Sequence, residues 1–163
     1  MQQNVDGSDF FNRTWREYKA GFGNTSGNYW LGNEQLHRLT QDDKYKLRFE
    51  IQSDWTGLWY WAEYDTFTIG DESTQYTLTV AGFNGSVAHD AMDYVNGIKF
   101  STKDRDNDVY SSSNCAQMYS GGFWYKDCFE CGVNAAGGLF RWQYMTDYFD
   151  RNLRTSRLWL VYR

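Results

Sequence analysis

The residues whose types and spacing most invite chemistry are the acids of Lys103-Asp104-Arg105-Asp106-Asn107-Asp108, which place a carboxylate at every second position. Calcium takes about six to eight oxygen ligands at roughly 2.3–2.6 Å, and alternating Asp residues in a turning loop supply several from one short segment. An EF-hand does not fit. Counted from Asp104, position 6 is Val109 where Gly is needed and position 12 is Cys115 where Glu is needed, and starting at Asp106 rescues neither. The competing reading is a solvated acidic turn whose Asp side chains cap nearby N–H groups. From the motif alone the two stand level. Zinc finds no support, because the three Cys and two His lack a matching ligand spacing.

The cysteines are Cys115, Cys128 and Cys131. A bridge from Cys115 to Cys128 would close a loop worth about 3 kcal/mol in the chain-entropy account. Cys128 and Cys131 form a C-x-x-C, a redox spacing, but no β-α-β pattern surrounds it. The odd number leaves one thiol free or paired with another chain. Between Cys115 and Cys128 lies Gln117-Met118-Tyr119-Ser120-Gly121-Gly122-Phe123-Trp124-Tyr125. Trp and Tyr beside Gly turns suit stacking on a sugar face or packing an acyl methyl. The plainer reading, that most of these rings cover the core beneath the loops, is favoured.

The elements that must position these residues follow from periodicity. The spacing predicts a helix from about Asn12 to Lys19, stopped by Gly21 or Gly23, with Trp15 and Tyr18 sharing a buried face. A second helix is expected over Gly32–Thr40, capped by Asn33, with Leu36 and Leu39 inward and His37 on the surface. From Lys46 to Gln52 apolar and polar residues alternate strictly, the mark of a strand with one wet face. Further strands are expected at Leu58–Thr68, Tyr76–Ala81 and Arg157–Tyr162, a turn at Gly82–Ser86 and a short helix at Asp90–Tyr94. From Ser101 to about Gly138 regular periodicity fades, and the aromatic content there argues for ordered loops.

Composition bounds the function. At 163 residues, with no internal repeat or linker, the chain reads as one domain, 1–163, long enough to bury a core. A formal net charge of −5 without a Lys/Arg cluster argues against a nucleic-acid partner. No apolar run approaches the ~20 residues of a membrane span, and the polar start carries no secretory signal. Aromatics make up 20% of the chain and Pro is absent, so the 15 Gly carry much of the turn work, a style common in extracellular recognition domains.

A longer run of residues then becomes recognisable. Asp6-Gly7-Ser8, Phe11-Asn12-Arg13-Thr14-Trp15, Glu17-Tyr18, Gly21-Phe22-Gly23 and Tyr29-Trp30-Leu31-Gly32-Asn33-Glu34 come first. Ala62-Glu63-Tyr64-Asp65, Asn96-Gly97, Lys99-Phe100-Ser101-Thr102, the acidic loop and Asn114-Cys115-Ala116 follow. Together they resemble the fibrinogen C-terminal domain of fibrinogen chains, ficolins, tachylectins, angiopoietins and tenascins. The resemblance is near continuous from Val5 to Cys128 and returns around Trp142 and the last strand. It implies an α+β fold: a twisted antiparallel sheet, short helices and a long loop-rich region for calcium and ligand. It also implies Ca2+ held by the Asp106 and Asp108 carboxylates with carbonyls of Tyr110 and Ser112, Asp104 beside them as a further acid or loop cap, and a Cys115–Cys128 disulfide. In lectin-like members an acetyl pocket uses a strained peptide before the second Cys, a following His and nearby Tyr rings. By resemblance the pocket falls on Tyr119, Asp127, Cys128 and Phe129, the strained bond being Asp127–Cys128. The chain departs from that pattern: Phe129 stands at the His position. Val133-Asn134-Ala135 runs quickly on to Trp142, as though the ligand loop were shortened, and the family's first strand and first disulfide are not seen before Met1.

The expected function is a secreted, non-enzymatic recognition module, calcium-stabilised, binding carbohydrate or acetylated surface groups in the manner of innate-immune lectins. The alternatives are an adhesive or receptor-binding module contacting extracellular protein, favoured somewhat by loss of the pocket His, and a truncated inactive member. An enzyme using the paired carboxylates Glu63 and Asp65 is set aside, since both match a pattern of non-catalytic proteins. Secretion rests on the family alone, and any oligomer on regions outside this chain. Sequons at Asn12, Asn24 and Asn84 are glycosylation candidates.

Overall fold

The computed structural model describes residues 1–146 and 150–163. In chain order the elements are β1 (Gln2–Asn4), α1 (Trp15–Ala20), β2 (Phe22–Gly23), β3 (Tyr29–Trp30), α2 (Asn33–Thr40), β4 (Tyr45–Ser53), β5 (Trp59–Ile69), β6 (Leu78–Gly85), β7 (Phe100–Ser101), α3 (Cys115–Met118), β8 (Phe123–Trp124) and β9 (Leu153–Tyr162). Seven strands form one antiparallel sheet in the order β2-β3-β1-β9-β4-β5-β6, and β7 pairs with β8 in a small second sheet. The α+β expectation is met. The last strand, β9, lies mid-sheet between the first strand and β4.

The alternation in Lys46–Gln52 does what it predicts. Leu47, Phe49 and Ile51 of β4 are buried, and Lys46, Arg48 and Glu50 share the opposite, wet face. Phe49 pairs with Ala62 on one side and Leu158 on the other, so one row of apolar side chains crosses three strands. The Gly82–Ser86 turn is not observed, because β6 runs on to Gly85. Gly82 instead takes φ +74° opposite Asp65, and beside it burial in β5 changes phase from Ala62 and Tyr64 to Phe67 and Ile69. The glycine therefore kinks a strand pair, a task any Cβ at that φ would strain.

The first helix begins three residues later than expected. Thr14 and Glu17 form a capping box, each side chain accepting from the other's backbone N–H, and the S/T-x-x-E spacing explains the start. Asn12 thus lies in the turn before α1, after a short 3-10 turn at Asp9–Phe11. In α2 the cap is Gly32, not Asn33. Asn33 is buried and its Oδ1 accepts from the Trp30 indole at 3.0 Å, a side-chain bond three residues back that takes the place of capping. Leu36 faces inward but Leu39 is 40% exposed, and His37 sits half-buried with Nδ1 2.9 Å from the Ile69 carbonyl oxygen. The short helix near Asp90 is a 3-10 turn at Asp93–Val95, preceded by Asp90, whose Oδ1 accepts from the backbone of Met92 and Asp93 and from the Tyr64 hydroxyl.

Most aromatics in the irregular half are core, as the plainer reading holds. Trp30, Phe100 and Trp124 are fully buried and meet one another with ring centroids 5.1–6.3 Å apart. Tyr18 of α1 is buried among them and does more than pack. Its hydroxyl donates to the Phe11 carbonyl at 2.6 Å and accepts from the Gly122 N–H at 2.8 Å. A Cβ on Gly122 would come within 2.6 Å of the Tyr18 ring, so the glycine permits this approach. Tyr18→Phe should therefore strand a buried backbone N–H and cost about 1–3 kcal/mol, read as a lowered midpoint in urea at an unchanged slope; an unchanged midpoint would show that the bond carries no weight.

Candidate functional site

The acidic loop follows β7 and is folded back by its own side chains. Asn107 donates from its amide to the Phe100 carbonyl at 2.8 Å and from its backbone to the Ser101 hydroxyl at 2.9 Å. Asp104 turns away from the other acids: its Oδ1 accepts from the Trp15 N–H and the Thr102 hydroxyl, both at 2.8 Å. It caps the first turn of α1, where a carboxylate also meets the positive end of the helix dipole. Asp106 and Asp108 stay together, with Asp106 Oδ1 accepting from the Asp108 N–H at 3.2 Å. The two oxygens of Asp108 accept separately from the N–H groups of Tyr110 and Cys115, each at 2.8 Å. Since Cys115 opens α3, one carboxylate joins the acidic loop to the bridged turn.

This arrangement leaves charge uncompensated. Among the described residues no Lys or Arg ion-pairs with Asp106 or Asp108. Burial raises the Asp108 carboxyl above the usual carboxylate range, and the Asp106 charge adds to the effect. The loop lines an open depression bounded by Asp106, Asp108, Tyr110, Ser112 and Asn114. The side-chain oxygens of its lining include two carboxylates, those of Asp106 and Asp108. That set suits a hard cation such as calcium rather than zinc. Among the described residues no group of three His, Cys, Asp or Glu is gathered for a metal, so carbonyls and water would have to complete the shell.

Cys115 and Cys128 are bonded, as the resemblance implies, and Cys131 is free and fully buried. The Asp127–Cys128 peptide is trans, as is every peptide bond among the described residues, so the expected strained bond is not formed. A cis non-proline bond costs about 3–4 kcal/mol and needs surroundings that enforce it. Here the turn closes with the trans bond, Lys126 N–H donating to the Cys128 carbonyl at 2.8 Å. Phe129 is 8% exposed, its ring edge-on to Tyr119 at 4.6 Å and 5.9 Å from Tyr125. The four residues assigned by resemblance to the acetyl pocket thus lie together, but at the His position a hydrocarbon ring packs inward and offers no hydrogen bond to an acetyl oxygen.

Elsewhere, Glu63 and Asp65 are ion-pair partners, Lys46 Nζ lying 3.5 Å from the first and 2.7 Å from the second, with Arg48 3.4 Å from Glu63. Of the sequons, Asn24 and Asn84 are exposed and Asn12 is half-buried, its acceptor Thr14 engaged in the helix cap. Sequence reasoning missed the residues that hold the ligand-side loops from the other end of the chain. Gln2 and Asn4 of β1 both donate to the Val133 carbonyl, at 3.1 and 3.0 Å, and Asn134 donates to the Gly122 carbonyl at 2.9 Å. Nothing in local spacing marks these contacts, whose partners are over a hundred positions apart for Gln2 and Asn4.

Comparison with known proteins places this geometry. Residues 1–152 match the family model of the fibrinogen beta and gamma chains, C-terminal globular domain. Angiopoietin-4 of Bos taurus is 38% identical over 171 residues, covering 97% of this chain and 33% of the relative. Angiopoietin-related protein 7 of Homo sapiens is 42% identical over 134 residues, covering 82% and 38%. The chain therefore spans about a third of the length of these curated relatives. Among solved structures, the fibrinogen-like globe domain of human ANGPTL2 is similar at TM-score 0.85 and 37% identity, covering 98% of this chain and 77% of that one. A lamprey fibrin D-dimer, complexed with the peptide ligand Gly-His-Arg-Pro-amide, is similar at TM-score 0.83 and 28% identity, covering 98% and 59%.

The C-x-x-C spacing carries no redox site. Burial pushes the Cys131 thiol far up, and the thiolate is the reactive form. Iodoacetamide at pH 8 should leave the native protein unmodified and alkylate one cysteine in urea, counted by mass; rapid native alkylation would contradict the burial.

Proposed function

Since this chain belongs to the fibrinogen C-terminal domain family, we propose that it is a secreted, non-enzymatic recognition module whose loop-rich end contacts an extracellular protein, with calcium neutralising the acidic loop. The observation that carries the choice of partner is Phe129. Packed on Tyr119 where lectin-like members present a histidine, it gives the acetyl-binding reading no polar group to work with. Two large apolar side chains are exposed on the segment that follows the acidic loop: Val109 directly after it, at 60%, and Met118 at the end of α3, at 47%. Exposed apolar groups beside charge suit a protein contact. The lamprey relative's peptide ligand and the disulfide, a bond of oxidising compartments, support the same reading.

Calcium's role in this proposal is structural. Asp106 and Asp108 would hold it, with the Tyr110 and Ser112 carbonyls. The ion would relieve the repulsion between the two carboxylates, and the Asp108 link to Cys115 would pass that order to the bridged turn. A preformed contact surface loses less ordering entropy on binding. The carbohydrate reading keeps the aromatic turn in its favour, and the two readings differ in what the loop end captures.

Two measurements test the proposal. Millimolar calcium should raise the melting temperature of the wild type and leave Asp106→Ala unmoved; equal destabilisation of the variant in chelator would assign the loop acids to local capping alone. On paired arrays of extracellular ectodomains and acetylated glycans, capture by an ectodomain should fall at least tenfold for Val109→Asp/Met118→Asp at unchanged melting temperature. Saturable, chelator-sensitive binding to acetylated glycans alone would reverse the choice.

A further inference from the structure

The sheet's wet face carries a second, unrelated arrangement. Cross-strand register sets Arg48 beside Glu63 and Trp159 in one row, and Glu50 between Trp61 and Arg157 in the next. Arg48 lies over the Trp61 ring at 4.8 Å and Arg157 over the Trp59 ring at 5.2 Å. The two guanidinium groups differ in their partners. Arg48 is neutralised by Glu50 at 3.3 Å and Glu63 at 3.4 Å. Arg157 has no ion pair among the described residues, and its Nε is buried without a hydrogen-bond acceptor. The nearest carboxylate in register, Glu50, is already engaged by Arg48 and by the Trp159 indole at 3.2 Å. Arg48, Glu50, Trp59, Trp61 and Arg157 line a recess of about 290 Å3, room for one ring rather than an extended chain.

We infer that this recess binds a singly charged acidic sugar, its carboxylate on Arg157 and its ring against Trp59. Arg157, half-buried and without an ion pair among the described residues, offers a guanidinium that a carboxylate can meet bidentately. Trp59, 47% exposed, gives a flat apolar surface for the C–H face of a pyranose. Glu50 decides between anions. Beside Arg157 it repels a second negative charge, as in a strongly acidic peptide or a sulfated chain, yet accepts hydrogen bonds from hydroxyls. One carboxylate flanked by hydroxyls is the chemistry of a uronic acid.

The test uses the whole chain and methyl glucuronide, followed by the indole N–H signals of Trp59 and Trp61. Saturable shifts are expected with a dissociation constant on the order of 1 mM, the same in calcium and in chelator, so the outcome is independent of the acidic loop. Methyl glucoside, lacking the carboxylate, and the neutral-ended peptide Ala-Glu-Ala, lacking the ring, should each bind at least tenfold more weakly. Arg157→Gln should lose at least tenfold in affinity; Trp59→Ala, at an exposed position, repeats the test should the arginine variant fold poorly. No saturation by about 20 mM, equal binding of glucoside or peptide, or full affinity in both variants would overturn the assignment.

Discussion

A long segment with little regular structure must still satisfy its backbone N–H and C=O groups, and this constraint governs the functional half of the molecule. Between Phe100 and Phe140 the only regular pieces are a two-residue strand pair, one turn of α-helix and a 3-10 turn. The remaining peptide groups are met by one another across the loops and, in comparable measure, by side chains. Tyr18 takes the Gly122 N–H, Asn134 the Gly122 carbonyl and the Tyr125 hydroxyl the Gly121 carbonyl at 2.6 Å. Asn114 takes the Thr102 carbonyl and Gln117 that of Lys103. Each such bond is modest alone, but an unmet buried group would cost more than a made one contributes. The loops are therefore held as a network.

The same demand explains why the acids are divided in their tasks. Asp104 satisfies the start of α1 and Asp108 the start of α3, while Asp106 accepts within the loop from the Asp108 N–H, so all three loop carboxylates are structural acceptors before any ion is considered. Asp108 meets this need at the cost of burial beside Asp106. Calcium, as proposed, would resolve a strain that the hydrogen bonding itself creates. The disulfide and the inward-packed ring of Phe129 close the other side of the turn.

The sheet contributes a different kind of surface. Its buried face is a continuous apolar row across β9, β4 and β5, while its wet face orders charge and aromatic groups by register. Placing β9 mid-sheet sets Arg157 and Trp159 next to Arg48 and Glu50, residues over a hundred positions earlier. Loop end and sheet face thus answer to separate parts of the chain.

Much was legible in the sequence. Alternation from Lys46 to Gln52 announced a strand with one wet face, the spacing of Trp15 and Tyr18 announced the first helix though not its start, and the ordered matches from Asp6 to Cys115 marked the family and, through it, the Cys115–Cys128 bridge. Those signals are local: hydrophobic period and side chains reaching a few residues along the chain. What only the tertiary structure decided was every contact whose partner lies far away. It tied Gln2 and Asn4 to the Val133 carbonyl, left Leu39 in water, made Gly82 a kink rather than a turn, and set Arg157 over Trp59 with no ion pair among the described residues. In each case the residue type permits several roles, and the choice belongs to the neighbour that folding brings against it.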